Sequence, residues 1–241
     1  MELYELIAYR VSTACVAIVS FVLFYELYRR YKDGRFAGSL LLSLHVLCIG
    51  LTYLTILLLR PQTDAATATG LILSYVCFAT GGLIPYFGAL FSLYALEPEH
   101  KKIWMAAVTL LEVAYLAALF VFPPVVVEVR QGYFEWKASA LIRQFGFDYA
   151  LAVLWAVPVV LFVAFTFRAR ERKDRVKGIL LGSSMALLLF FILICEGTTG
   201  WIPIAVRRTL TAASVISLYL GFVMPDWFSG LVGLDESPPG D

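Results

Sequence analysis

Runs of twenty or more mainly apolar residues recur along this chain, and no other feature limits its fold so severely. A helix of about 20 apolar residues crosses the hydrocarbon core of a bilayer. Inside that core every backbone N–H and C=O must be satisfied, so a single run of this length has to be helical. Seven runs are found, near residues 6–28, 37–59, 68–96, 103–123, 147–167, 178–196 and 203–224. Arg207 and Arg208 interrupt the start of the last. Hydrophobic residues make up 61% of the chain and mean hydropathy is +0.82. A soluble domain is about 45–50% apolar, so lipid has to take up the excess. The expected fold is an all-α integral membrane protein. It comprises a seven-transmembrane helix bundle over 1–224, one extracytoplasmic β-hairpin between helices four and five, and a short cytoplasmic tail, 225–241.

Charge gives the orientation. Short cytoplasmic loops are enriched in Lys and Arg. Loop 29–35 carries Arg29, Arg30, Lys32 and Arg35; the third loop carries Lys101 and Lys102; loop 168–177 carries Arg168, Arg170, Arg172, Lys173, Arg175 and Lys177. The other side holds Arg10, Arg60, Arg130, Lys137, Arg143, Arg207 and Arg208, more thinly spread. The expectation is a multi-pass cell-membrane protein, N-terminus extracytoplasmic and C-terminus cytoplasmic. The start, "MELYELIAYR", is acidic and no small-residue cleavage site follows, so the first run reads as a retained helix. Pro225 stops the last helix, Trp227 suits the headgroup boundary, and the acidic, proline-rich end of the tail reads as disordered. A net charge of +1 offers nothing to nucleic acid.

The loop before the fifth helix contains "VVVEVRQGYFEWK", residues 125–137. Alternation on both sides of Gln131-Gly132 predicts a hairpin, with glycine admitting the turn. Val125, Val127 and Val129 share one face of the first strand. Phe134 and Trp136 share one face of the second, with Tyr133, Glu135 and Lys137 on the other. A lone hairpin is marginal in water, so it is expected to rest on helix ends with its apolar face down. It serves either as a structural plug or as a lid, with Trp136 over an outward pocket.

Ionisable residues within membrane helices are costly and mark functional sites. Glu112 lies midway along the fourth run, flanked by Thr109 and Tyr115 at i−3 and i+3. Its carboxyl can bind a ligand amine, relay protons or hydrogen-bond a neighbouring helix. His45 leads a stripe with Cys48, Thr52 and Thr55, the pattern of helix packing. The third run has small residues on one face and Pro85 within it, followed by Tyr86. Gly178, Gly182 and Ala186 stand in small-xxx-small register, either a homodimer face or a contact within the chain. Arg207 and Arg208 either mark the end of the last helix or face into the bundle near Glu196, where guanidinium groups suit an anion.

Several chemistries lack their residues. All six lysines lie in or beside loops, so none sits where a retinal Schiff base would form. Two histidines, one of them (His100) in a loop, do not make a bis-histidine haem site or a typical zinc site. The four cysteines are scattered in apolar runs without CxxC spacing. No nucleophile–base pair stands out. No cofactor, metal or enzymatic activity is expected.

Three stretches carry a resemblance. They are "YVCFATGGLIPYFGALFSLYALEP", the hairpin with its continuation "ASALIRQFGFDYALAVLW", and the basic "RARERKDRVKGILLG". Together they resemble the seven-helix membrane region at the N-terminus of prokaryotic sensor histidine kinases. The resemblance implies a sensor or receptor for an external or membrane-embedded cue. The sequence stops where the kinase part would begin, so the expectation is either signalling through a separate partner docked on basic loops 29–35 and 168–177 or reuse of the fold for something else. A small or membrane-derived cue is expected to bind near the outer mouth, under the hairpin and between helices three to seven, with Glu112, Tyr115 and Tyr86 as the candidate pocket residues and His45, Trp136, Arg207 and Arg208 as further candidates. An accessory or anchor subunit of a larger membrane complex and a small-solute or proton carrier are the alternatives.

Overall fold

Each of the seven apolar runs is helical over most of its length. The computed structural model describes residues 3–59, 67–122, 125–129, 133–137, 142, 152–193 and 201–234. The helices are α1 (Leu3–Gly34), α2 (Ala37–Leu58), α3 (Ala68–Leu96), α4 (Lys101–Val121), α5 (Ala152–Arg168), α6 (Arg172–Leu193) and α7 (Trp201–Val223). A short α8 (Asp226–Leu231) follows Pro225. Strands β1 (Val125–Val129) and β2 (Tyr133–Lys137) lie between α4 and α5.

The expected seven-transmembrane count is corrected to four. Among the described residues, four helices are long and apolar enough to cross a membrane: Ile7–Gly34 of α1, then α2, α3 and α4. The physical reason lies in the other three. Helix α5 is described over 17 residues, the lower end of what spans a bilayer. Helix α6 spends its first two turns on Arg172, Lys173, Asp174, Arg175 and Lys177. Helix α7 carries Arg207 and Arg208 near its start. Four apolar helices make the chain a multi-pass membrane protein.

Helix neighbours run α1–α2–α3–α5–α6–α7 and back to α1, a closed ring of six. Helix α4 stands outside it, against α3. The ring's core is built from Phe91, Trp155, Phe162, Met185, Val215 and Leu218, all essentially buried. Polarity is inverted relative to a soluble protein. Ser20, Ser43, His45, Ser74, Ser92, Glu112 and Ser214 are buried, whereas Ile18, Leu110, Val113 and Val160 are exposed mid-helix. Lipid tails solvate those apolar chains, and the polar ones must find partners inside.

Small residues set the helix separations. A Cβ at Gly178 would lie 3.0 Å from Phe165 Cδ1, and one at Gly182 would lie 3.2 Å from Phe162 Cβ. The face bearing Gly178 and Gly182 is therefore occupied by α5 of the same chain. Helix α3 continues through Pro85, which is itself buried. Proline donates no hydrogen bond, so the helix loses one rung there.

The bundle's ends are chemically distinct. Phe36 stacks with Phe222 at 6.3 Å and meets Tyr94 at 5.8 Å. This brings the start of α2 and the ends of α3 and α7 to one end. The basic segments 29–35, 101–102 and 168–177 adjoin those helix termini. Arg172 donates to the carbonyls of Val232 and Gly233, both at 3.2 Å, so the stretch after α8 is tied to the same end. The acidic, proline-rich end, 235–241, lies outside the described residues.

At the α3–α4 turn, Glu97 and His100 adopt positive φ. Lys101 donates to Glu97 Oε1 at 2.8 Å and lies over the Tyr94 ring. That hydrogen bond, and then the ammonium charge, hold the Glu97 carboxyl below the usual glutamate range. The bridge's contribution is therefore complete above the unfolded carboxyl's pKa and is lost as pH falls through the lowered folded value. Titration of Glu97 by NMR is expected to move up, towards the ordinary range, in Lys101→Ala.

Strands β1 and β2 pair antiparallel, with Val125 against Lys137, Val127 against Glu135 and Val129 against Tyr133. This register corrects one expectation. The strands are joined by residues 130–132 rather than by Gln131-Gly132 alone, and those residues lie outside the described ones. The expected apolar faces fall on side chains that also lie outside what is described. Strand β1 lies beside α3.

Candidate functional site

The membrane-facing helix α4 brings one carboxyl into the protein. Glu112 is 2% exposed, at mid-length of α4, so it lies about 16 Å along the helix from Lys101. It is therefore at mid-depth in the bundle rather than at a mouth. Among the described residues neither carboxyl oxygen has a hydrogen-bond partner. Tyr115, one turn on, is buried beside it and donates from its hydroxyl to the Phe78 carbonyl at 3.1 Å. Gly82 of α3 admits both side chains. A Cβ there would overlap Tyr115 Cε1 and stand 3.1 Å from Glu112 Oε1.

The spacing Thr109, Glu112, Tyr115 predicted one polar face, and that face does turn to α3. Thr109 sits at its rim, bonded to the Met105 carbonyl and 3.3 Å from the hydroxyl of half-buried Tyr86. Behind α3 the hydroxyls of Thr52 and Thr80 meet at 2.8 Å. Cys48 of α2 and Cys77 of α3 are both buried. A carboxyl and a phenol thus meet α3 from α4, and a pair of hydroxyls joins α3 to α2. Such a set can accept an amine, a hydroxyl or a proton at Glu112.

His45 belongs to the ring interior. Its Nδ1 is 2.7 Å from the Ile84 carbonyl. A carbonyl only accepts, so Nδ1 carries the proton and Nε2 is a bare acceptor. Nε2 has no hydrogen-bond partner among the described residues, and neither does Trp155 Nε1. The two rings meet edge to face at 5.6 Å. His45 is thus packed as a histidine stripe implies, but only half satisfied. Gly88 allows this packing, because a Cβ there would be 3.2 Å from the imidazole.

The arginines split. Arg208 is 3% exposed and faces α1, whereas Arg207 is half-buried. Arg208 Nη1 donates to the Tyr9 carbonyl at 2.7 Å and to the Thr13 hydroxyl, and its guanidinium lies 3.8 Å over the Tyr9 ring. Of the two expectations for this pair, the inward-facing one describes Arg208. Trp136 is placed in β2 opposite Val126, its side chain outside what is described, and Glu196 is also outside the described residues.

Glu112, Tyr115 and, at the rim, Tyr86 therefore come together; His45 and Arg208 occupy other helix contacts. Sequence reasoning missed Gly82, Trp155, Tyr9 and Thr13. The Gly81-Gly82 pair was a usable signal for close approach, and Thr13 follows Tyr9 at i+4. Trp155 carried no signal in a chain rich in aromatic residues. No group of three or more metal-ligating side chains occurs among the described residues. No protein-family model matches the chain, and no curated protein matches it either.

Proposed function

We propose that this multi-pass membrane protein is a sensor or receptor that binds a small or membrane-derived cue at Glu112 and signals through a separate partner. The observation that carries the reading is the Glu112 carboxyl, buried yet without a hydrogen-bond donor for either oxygen. A group this costly to bury is retained where something binds it. Its setting favours a cue bearing an amine or hydroxyl, with Tyr115 and Tyr86 as neighbours. The position of α4, outside the ring and in contact with lipid, favours entry from the bilayer. The basic end, carrying 29–35 and 168–177, is assigned to the cytoplasm by the positive-inside rule and offers the partner's surface. The N-terminus is then extracytoplasmic. The resemblance to histidine-kinase membrane regions supports the same reading.

Glu112→Gln tests it. The variant is expected to fold with unchanged detergent stability and to lose the response to native-membrane lipid extract, read as a thermal shift. Retention of the full response in the variant defeats the reading.

An accessory-subunit reading draws on one further observation. The outer face of α4 exposes Ile103, Trp104, Leu110, Val113 and Phe120. If the protein is an accessory subunit, it is unstable alone and co-purifies with stoichiometric membrane partners in mild detergent.

A further inference from the structure

Arg208 presents chemistry that the Glu112 reading does not use. It is a permanent cation, 3% exposed, between α7 and α1. No carboxylate pairs with it among the described residues. Its contacts are the Tyr9 carbonyl, the Thr13 hydroxyl and the Tyr9 ring, all neutral. Neutral dipoles lessen the cost of burying a charge but leave the charge in place. The position lies far from the basic end. Residue 208 is 15 residues before Val223, about 22 Å along α7.

The arrangement of its donors is selective. A guanidinium offers a side-on edge, Nε with Nη2, that matches two oxygens of a carboxylate or phosphate. Both hydrogen bonds to α1 are taken by Nη1. Nε is buried with no hydrogen-bond partner among the described residues, and the hydrogen bonds that Arg208 makes there come from Nη1. The clamp on α1 thus uses one end of the guanidinium and leaves its two-pronged edge unbonded. The Tyr9 ring fixes the plane of the group.

We infer that the Nε–Nη2 edge of Arg208 binds an oxyanion, a phosphate or carboxylate group, between α1 and α7. The group comes either from an anionic lipid headgroup or from a soluble anion. Both supply the same paired oxygens, and both neutralise the buried cation. This site is independent of the Glu112 reading and stands or falls separately.

Thermal unfolding of the purified full chain tests the inference. One arm compares inorganic phosphate with chloride at matched ionic strength in neutral detergent. A second compares nanodiscs of phosphatidylcholine alone with nanodiscs containing phosphatidylglycerol. Wild type is expected to gain several degrees in Tm in at least one arm, as for any ligand that binds only the folded state. A gain confined to phosphatidylglycerol identifies the headgroup; a gain with phosphate identifies a soluble anion. Arg208→Gln should abolish the gain, and Arg208→Lys should lose most of it, because an ammonium lacks the forked edge. Thr13→Val should keep it, since Thr13 engages only Nη1. If Arg208→Gln does not fold, the wild-type arms and Thr13→Val still decide. No gain for wild type in either arm overturns the inference. So does an equal gain in Arg208→Gln, or a gain that appears only in Glu196→Gln, which would make Glu196 the native occupant.

Discussion

Glu112→Leu is expected to raise the unfolding free energy of the purified protein by about 2 kcal/mol and to eliminate the cue response. The two effects share one cause. The carboxyl is buried and neither oxygen is hydrogen-bonded, so it contributes desolvation cost without a compensating bond. A buried polar group in that state costs about 1–3 kcal/mol in proteins. Leucine is of similar size and meets Tyr115 and α3 without that cost. Thermal or denaturant unfolding in mild detergent measures the gain. A loss of stability instead would mean that the carboxyl holds an essential bond, as expected of a subunit contact in a larger complex. The pair Glu112→Gln and Glu112→Leu separates the roles, because only the first keeps a polar group of the same shape.

Gly82→Leu should lower stability by about 3 kcal/mol and detach α4 from the ring. Even a Cβ at this position would overlap Tyr115 Cε1 and stand 2.7 Å from Cδ1. The ring has little freedom to retreat. It is buried, and its hydroxyl is anchored on the Phe78 carbonyl. Overpacking of this kind typically costs about 1–3 kcal/mol, and a leucine places its bulk where Tyr115 and Glu112 meet. Because α4 packs on the ring through α3, the cost falls on one interface. Limited proteolysis within 97–101 is expected to rise as α4 separates. Combining Gly82→Leu with Tyr115→Ala should recover part of the loss, since the double variant removes the obstructing ring. Additive losses in the double-mutant cycle would show that the two residues do not interact.

The two experiments bear on different parts of the functional reading. The glutamate variants ask whether the carboxyl binds something; the glycine variant asks whether α4 must stay docked for that binding to reach the ring. A response that survives undocking of α4 would place the receptor site elsewhere in the bundle.

Apolar run length alone located every long helix, because in lipid a run of that length has no other way to satisfy its backbone. Loop charge grouped the basic segments correctly at one end. The single carboxyl in the middle of an apolar run identified Glu112, and i±3 spacing identified the face it shares with Tyr115. Tertiary structure decided the rest. It placed α4 outside a closed ring of six, which depends on pairwise packing and leaves no trace in hydropathy. It turned Arg208 inward onto Tyr9 and Thr13 while Arg207 stays half-buried, a choice set by which side of α7 meets α1. It made Gly82 the opening for Glu112 and Tyr115, because the need for a missing side chain arises only once the opposite helix is in place. Local periodicity sets what each segment becomes; contacts between segments distant in sequence set which of its polar atoms are left for a ligand.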